Sequence, residues 1–129
     1  MKKYTNYGFY INTYMGDMPE LDFERLITRA SYDVYNRISG KDYTGFEYEI
    51  QMATCSVIDI LYKIEQLENQ KRKTVSDKTL KSESVGDYSR TFENSSMSDI
   101  EQEISSQKQK IEEEIRKYLL WTGLLYRGV

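Results

Sequence analysis

Cys55, the paired glutamates Glu47 and Glu49, the run Glu112-Glu113-Glu114 and the basic series Lys71, Arg72, Lys73, Lys78 and Lys81 are the residues whose types and spacing could do chemistry. None of them assembles a reaction centre. The chain has no histidine, which removes the commonest acid-base catalyst and the commonest transition-metal ligand together. Cys55 stands among Met52, Ala53 and Val57 with no imidazole to activate it, the setting of a small buried residue. The acidic pairs read as dipole-matched or solvated helix faces, and Gly86, Gly123 and Gly128 stand singly, without a phosphate-cradling loop. No nucleophile, base and oxyanion donor can be grouped from these types, so the sequence points away from an enzyme and calls for no cofactor or metal. The five basic residues between Lys71 and Lys81 could meet phosphates in a salt-sensitive, sequence-independent way, but no recognition-helix or RNA-binding motif accompanies them. A solvated helix end and loop accounts for them better.

The elements that would carry these residues are helical. The chain has 129 residues, 30% of them charged, a net charge of −3 and one proline. That length suits one domain with a modest core, and the mean hydropathy of −0.71 suits apolar stripes on otherwise polar helices. A single cysteine excludes an internal disulfide framework. No run of roughly 18 apolar residues is present, and no secretory leader is recognisable, so a cytoplasmic product without membrane contact is expected.

Residues 1–16 form an aromatic arm, rich in tyrosine and ending at Gly16, with one short helical turn at most. Helix one is expected over 17–39. Asp17-Met18-Pro19-Glu20 supplies a capping signal, and Phe23, Leu26, Ile27, Ala30, Val34 and Ile38 recur at helical spacing. A central helix is expected over 46–72, where Ile50, Ala53, Val57, Leu61 and Ile64 trace a stripe. Residues 73–97 change to serine, threonine and lysine and read as an exposed connector. The alternation of Tyr88, Arg90 and Phe92 after Gly86-Asp87 is compatible with a short strand or β-hairpin there. A last helix is expected over 98–122, opening at Ser98-Asp99-Ile100-Glu101, with a stripe of Ile100, Ile104, Ile111, Ile115, Tyr118 and Leu119 that Gln107 and Lys108 weaken in the middle. Residues 123–129 make an extended tail whose Leu124, Leu125 and Tyr126 each need ~1.5–3 kcal/mol of burial. The fold class is therefore all-α, a small bundle of three main helices with an arm, a long connector and a tail.

Two stretches are more specific than the stripes: Ser82-Glu83-Ser84-Val85-Gly86-Asp87-Tyr88-Ser89 and Leu124-Leu125-Tyr126-Arg127-Gly128-Val129. Together with Tyr14-Met15-Gly16, the acidic helix start Glu20-Leu21-Asp22-Phe23 and the central Ala53 to Tyr62 segment, they give the chain a resemblance over nearly its whole length to the head-tail connector proteins of tailed bacteriophages and prophages of Gram-positive bacteria. That resemblance implies a structural virion protein at the neck, made in the host cytoplasm. Copies would form a ring, dodecameric in type, under the portal protein. The ring would receive a stopper or tail-completion protein below and let DNA pass through its lumen without specific binding. It implies a portal-docking role for Trp121, Leu124, Leu125, Tyr126, Arg127 and Val129, and neighbour or downstream contacts for Val85, Asp87, Tyr88, Arg90 and Phe92. Arg90 departs from the family, which often carries a small or apolar residue there; it is left to face the lumen or a neighbouring acid. The alternative is a generic helical adaptor or regulator that binds nucleic acid weakly through Lys71 to Lys81.

Overall fold

The computed structural model describes residues 3–81 and 87–125, with side chains for 3–73 and 97–125. Among the described residues four α-helices follow in order: α1 (Tyr7–Asn12), α2 (Glu20–Ile38), α3 (Glu47–Lys81) and α4 (Asp87–Leu119), the last closed by a 3-10 turn at Leu120–Thr122. The chain divides into two compact units, residues 1–62 with 110–129, and residues 63–109.

The ends of the short helices have local causes. Asn6 Oδ1 accepts the Phe9 N–H at 2.8 Å and starts α1. α2 follows Pro19, whose extended backbone (φ −61°, ψ 147°) serves as the N-cap, and no side chain bonds there. The expected Asp17 cap is thus replaced by proline geometry at the helix entrance. α2 stops where Ser39 and Gly40 both adopt left-handed backbone, φ 55° and 68°, and the Gly40 N–H returns to the Tyr35 carbonyl.

In the first unit the α2 stripe is buried as its spacing predicts, from Phe23, Leu26 and Ile27 to Val34 and Ile38. Ile50, Ala53, Cys55, Val57, Ile58 and Leu61 of α3 and Ile111, Ile115 and Leu119 of α4 complete that core. Arg37 Nε meets Glu112 Oε2 at 2.8 Å between α2 and α4, and Tyr4 N–H donates to Ser31 Oγ at 3.1 Å, laying the arm on α2.

In the second unit Ile64, Ile100 and Ile104 are buried, and Lys71 Nζ lies 3.0 Å from Glu101. Gln107, expected to mark a weakly buried stretch, is 2% exposed; its amide donates to Glu103 Oε1 at 2.8 Å, one turn back on α4. A buried amide with a local partner loses little on leaving water.

The main correction concerns residues 73–97. The described part of that stretch is helical and holds no β-hairpin: α3 runs on to Lys81, α4 opens at Asp87, and no strand occurs among the described residues. Ser98, read as a cap, lies inside α4. Helix extension costs little once a helix exists, and neither glycine nor proline interrupts Glu47 to Lys81 or Asp87 to Leu119. Composition without an apolar stripe marks a polar helix as readily as a loop.

Candidate protein-docking surface

The surface that stands out on the first unit is built by the end of α4. Ile111, Ile115 and Leu119 face the core at fourfold spacing, so the next residues are carried round the helix axis and away from it. Leu120 is 59% exposed and Trp121 67% exposed. The Trp121 indole stands edge-on to the Phe46 ring, with centroids 5.6 Å apart and planes at 85°, which supports one side of the indole and leaves the rest to water.

The chain then turns back. Gly123 takes φ 80°, a left-handed position that glycine occupies without strain. Thr122 Oγ1 donates to the Leu119 carbonyl at 2.6 Å and accepts the Leu124 N–H at 3.1 Å. This local clamp drives Leu124 inward to 5% exposure, and Lys41 Nζ donates to the Leu124 carbonyl at 3.2 Å. Beside it, Leu120 and Leu125 line an open cleft of about 400 Å³ with Arg37, Glu112 and Arg116. Two leucines beside two guanidinium groups and a carboxylate give a mixed apolar and charged lining, a chemistry suited to a protein contact.

The six expected docking residues are therefore divided. Trp121 is presented to solvent, Leu124 is committed to this chain's own core, and Leu125 is half-buried at the cleft. Tyr126, Arg127 and Val129 lie outside the described residues, as does Val85. Asp87 and the positions of Tyr88, Arg90 and Phe92 belong to the first turns of α4, with side chains outside the described set. Phe46 and Leu120 were not anticipated. Leu120 had a partial signal: it follows Leu119, the last residue of a narrow stripe in which every fourth position is buried, so the next position is carried round the axis from that stripe.

The residues considered for catalysis have other surroundings. Cys55 is fully buried, 3.7 Å from the Thr5 hydroxyl, and burial pushes its thiol up to about 12. Among the described residues no group of three or more acidic, cysteine or histidine side chains is placed to hold a metal ion. Of the basic series, Lys71 is paired with Glu101 and Arg72 donates to Asn69 at 3.3 Å. Lys73 is exposed, and the side chains of Lys78 and Lys81 lie outside the described residues.

A buried polar cluster lies elsewhere on the same unit. Tyr10, fully buried, donates to Asp59 Oδ1 at 2.6 Å and accepts the Met18 N–H at 3.2 Å. Asp59 is the only charged residue from Ile50 to Tyr62, a signal in the sequence that was not used.

No family model matches the chain, no curated protein matches it, and no solved structure matches it. The bacteriophage, virion, neck, portal and DNA-channel descriptions rest on the resemblance alone and gain nothing from these comparisons; what fold and sequence carry in their place is the coarser statement of an all-α chain of packed helices.

Proposed function

We propose that this chain is a non-catalytic helical adaptor that acts by protein–protein contact, with Leu120, Trp121 and the Arg37–Arg116 cleft as the contact surface. The observation that carries the reading is the side-by-side exposure of Leu120 and Trp121 at the end of α4. Exposed tryptophan is costly to leave in water, and with arginine it is the residue type most often responsible for binding energy at interfaces. The specific form implied by the sequence resemblance is a head-tail connector. Copies would close a ring and join a portal protein to a stopper or tail-completion protein at the head-tail interface.

Copurification with the portal protein of the same genome tests it. Trp121→Ala and Leu120→Ser should leave the helical circular dichroism spectrum unchanged and weaken portal association at least tenfold, the loss of ~1.4 kcal/mol or more expected of a hot spot. Association untouched by both changes refutes the surface. Salt-sensitive binding of the intact chain to duplex DNA, lost on changing Lys71, Arg72 and Lys73 to glutamine, would favour the adaptor or regulator that contacts nucleic acid.

A further inference from the structure

Two features of the first unit are unmatched within one copy and match each other. The first is a knob at the start of α2. Phe23, Leu26 and Ile27 face the core, and Leu21, two positions before Phe23, is carried to the far side of the helix. It is 84% exposed, more than any other large apolar side chain among the described residues. Glu20, Asp22 and Glu24 surround it in the sequence. Asp22 is held by Arg25 at 2.7 Å and Glu24 lies 3.6 Å from Lys3. Glu20, exposed, is the carboxylate that keeps no hydrogen bond or ion pair among the described residues.

The second feature is the cleft of Leu120 and Leu125 with Arg37, Glu112 and Arg116. Glu112 engages Arg37 at 2.8 Å. The exposed Arg116 guanidinium has no such partner among the described residues. An exposed leucine beside an unpaired carboxylate, and a leucine-lined cleft beside an unpaired guanidinium, are complementary in apolar surface and in charge.

We propose that this cleft receives the start of α2 from a second copy of the chain, with Leu21 against Leu120 and Leu125 and Glu20 paired with Arg116. The assignment rests on the reading of the cleft as a protein-contact surface and names its occupant. One copy cannot make the contact with itself: Leu21 and Arg37 stand near opposite ends of α2, roughly 24 Å apart along its axis at about 1.5 Å per residue. The contact is therefore heterologous. Each copy offers its knob to one neighbour and its cleft to another, the arrangement that closes rings or extends as filaments. Leucine burial supplies attraction, and the ion pair fixes orientation because a reversed docking sets like charges together. Trp121, resting on Phe46, is left to a different protein.

Sedimentation velocity of the isolated chain tests this, over a concentration series reaching about 0.5 mM because a contact this small is weak. The wild-type chain should self-associate, severalfold less at high salt. Leu21→Ser, Glu20→Arg and Arg116→Glu change exposed positions, so each should keep the helical circular dichroism spectrum while weakening association at least tenfold. The decisive sample is an equimolar mixture of the Glu20→Arg and Arg116→Glu chains. Alternating copies there join opposite charges at every contact, and association should return to within about threefold of wild type, as it should in the doubly changed chain. A wild-type chain that stays monomeric throughout, self-association indifferent to all three changes, or reversal variants that the mixture does not rescue each overturns the contact. No portal protein is present in these samples. Failure here leaves the Trp121 adaptor reading standing, and failure of Trp121→Ala and Leu120→Ser against the portal leaves the rescue result intact.

Discussion

Gly16→Ala is expected to be among the most damaging single-methyl changes in the chain. Gly16 has no need of a left-handed backbone; its requirement is steric. A Cβ at this position would fall on Cζ and both Cε atoms of the Tyr10 ring, well inside contact distance. The ring has nowhere to go: it is fully buried, fixed at its hydroxyl by Asp59 and Met18, and flanked by Tyr7, Tyr14 and Phe23. Overpacking of this kind costs ~1–3 kcal/mol. Displacing the phenol from a carboxylate that it bonds adds ~1.5–3 kcal/mol. Relaxation keeps these from adding in full, so the expected loss is about 3 kcal/mol, or ~12 °C in Tm for a chain of this size. Urea unfolding followed by far-ultraviolet circular dichroism measures it, and near-ultraviolet tyrosine signals report whether the arm leaves first. In the double-mutant cycle Tyr10→Ala should remove most of the Gly16→Ala penalty, because the methyl then has space. A loss below about 0.5 kcal/mol, or a penalty that survives in the Tyr10→Ala background, refutes the packing argument.

Gln107→Leu keeps the buried face of α4 filled and removes a polar group whose partner, Glu103, can turn to water; a gain of about 1 kcal/mol in urea unfolding is expected, and a loss greater than that contradicts the local character of the bond. Cys55, with its thiol pushed up to about 12 by burial, should stay unreacted with a thiol reagent in the native state at about pH 8 and react at once in denaturant; fast native labelling disproves its burial. The Arg37–Glu112 pair is about one-third and one-half exposed, so a double-alanine cycle should give only ~0.2–1 kcal/mol of coupling that shrinks in high salt.

How far the sequence could be read varies with the distance along the chain over which the physics acts. The α2 stripe from Phe23 to Ile38 was legible because burial at 3.6-residue spacing is a local pattern, and the same holds for Ile111, Ile115 and Leu119. The polar region 73–97 was misread because serine, threonine and lysine mark solvent exposure as much as loop structure. An unbroken run without glycine or proline was the better guide to the long α3 and α4. Gln107 was misjudged for a related reason: its type suggests a wet position, but Glu103, one turn away, satisfies its amide in the interior.

By itself the sequence determined the helical class, the faces that turn inward and the absence of an imidazole, since these depend on residue type and short-range repetition. Only the tertiary structure decided that Tyr10 reaches Asp59 across a separation of 49 residues, that Gly16 must leave room for that ring, and that Leu124 turns in while Trp121 stays out. Each of these is set by which surfaces meet when helices pack, and a hydroxyl, a missing methyl or a left-handed glycine acquires its meaning only from the neighbour brought against it.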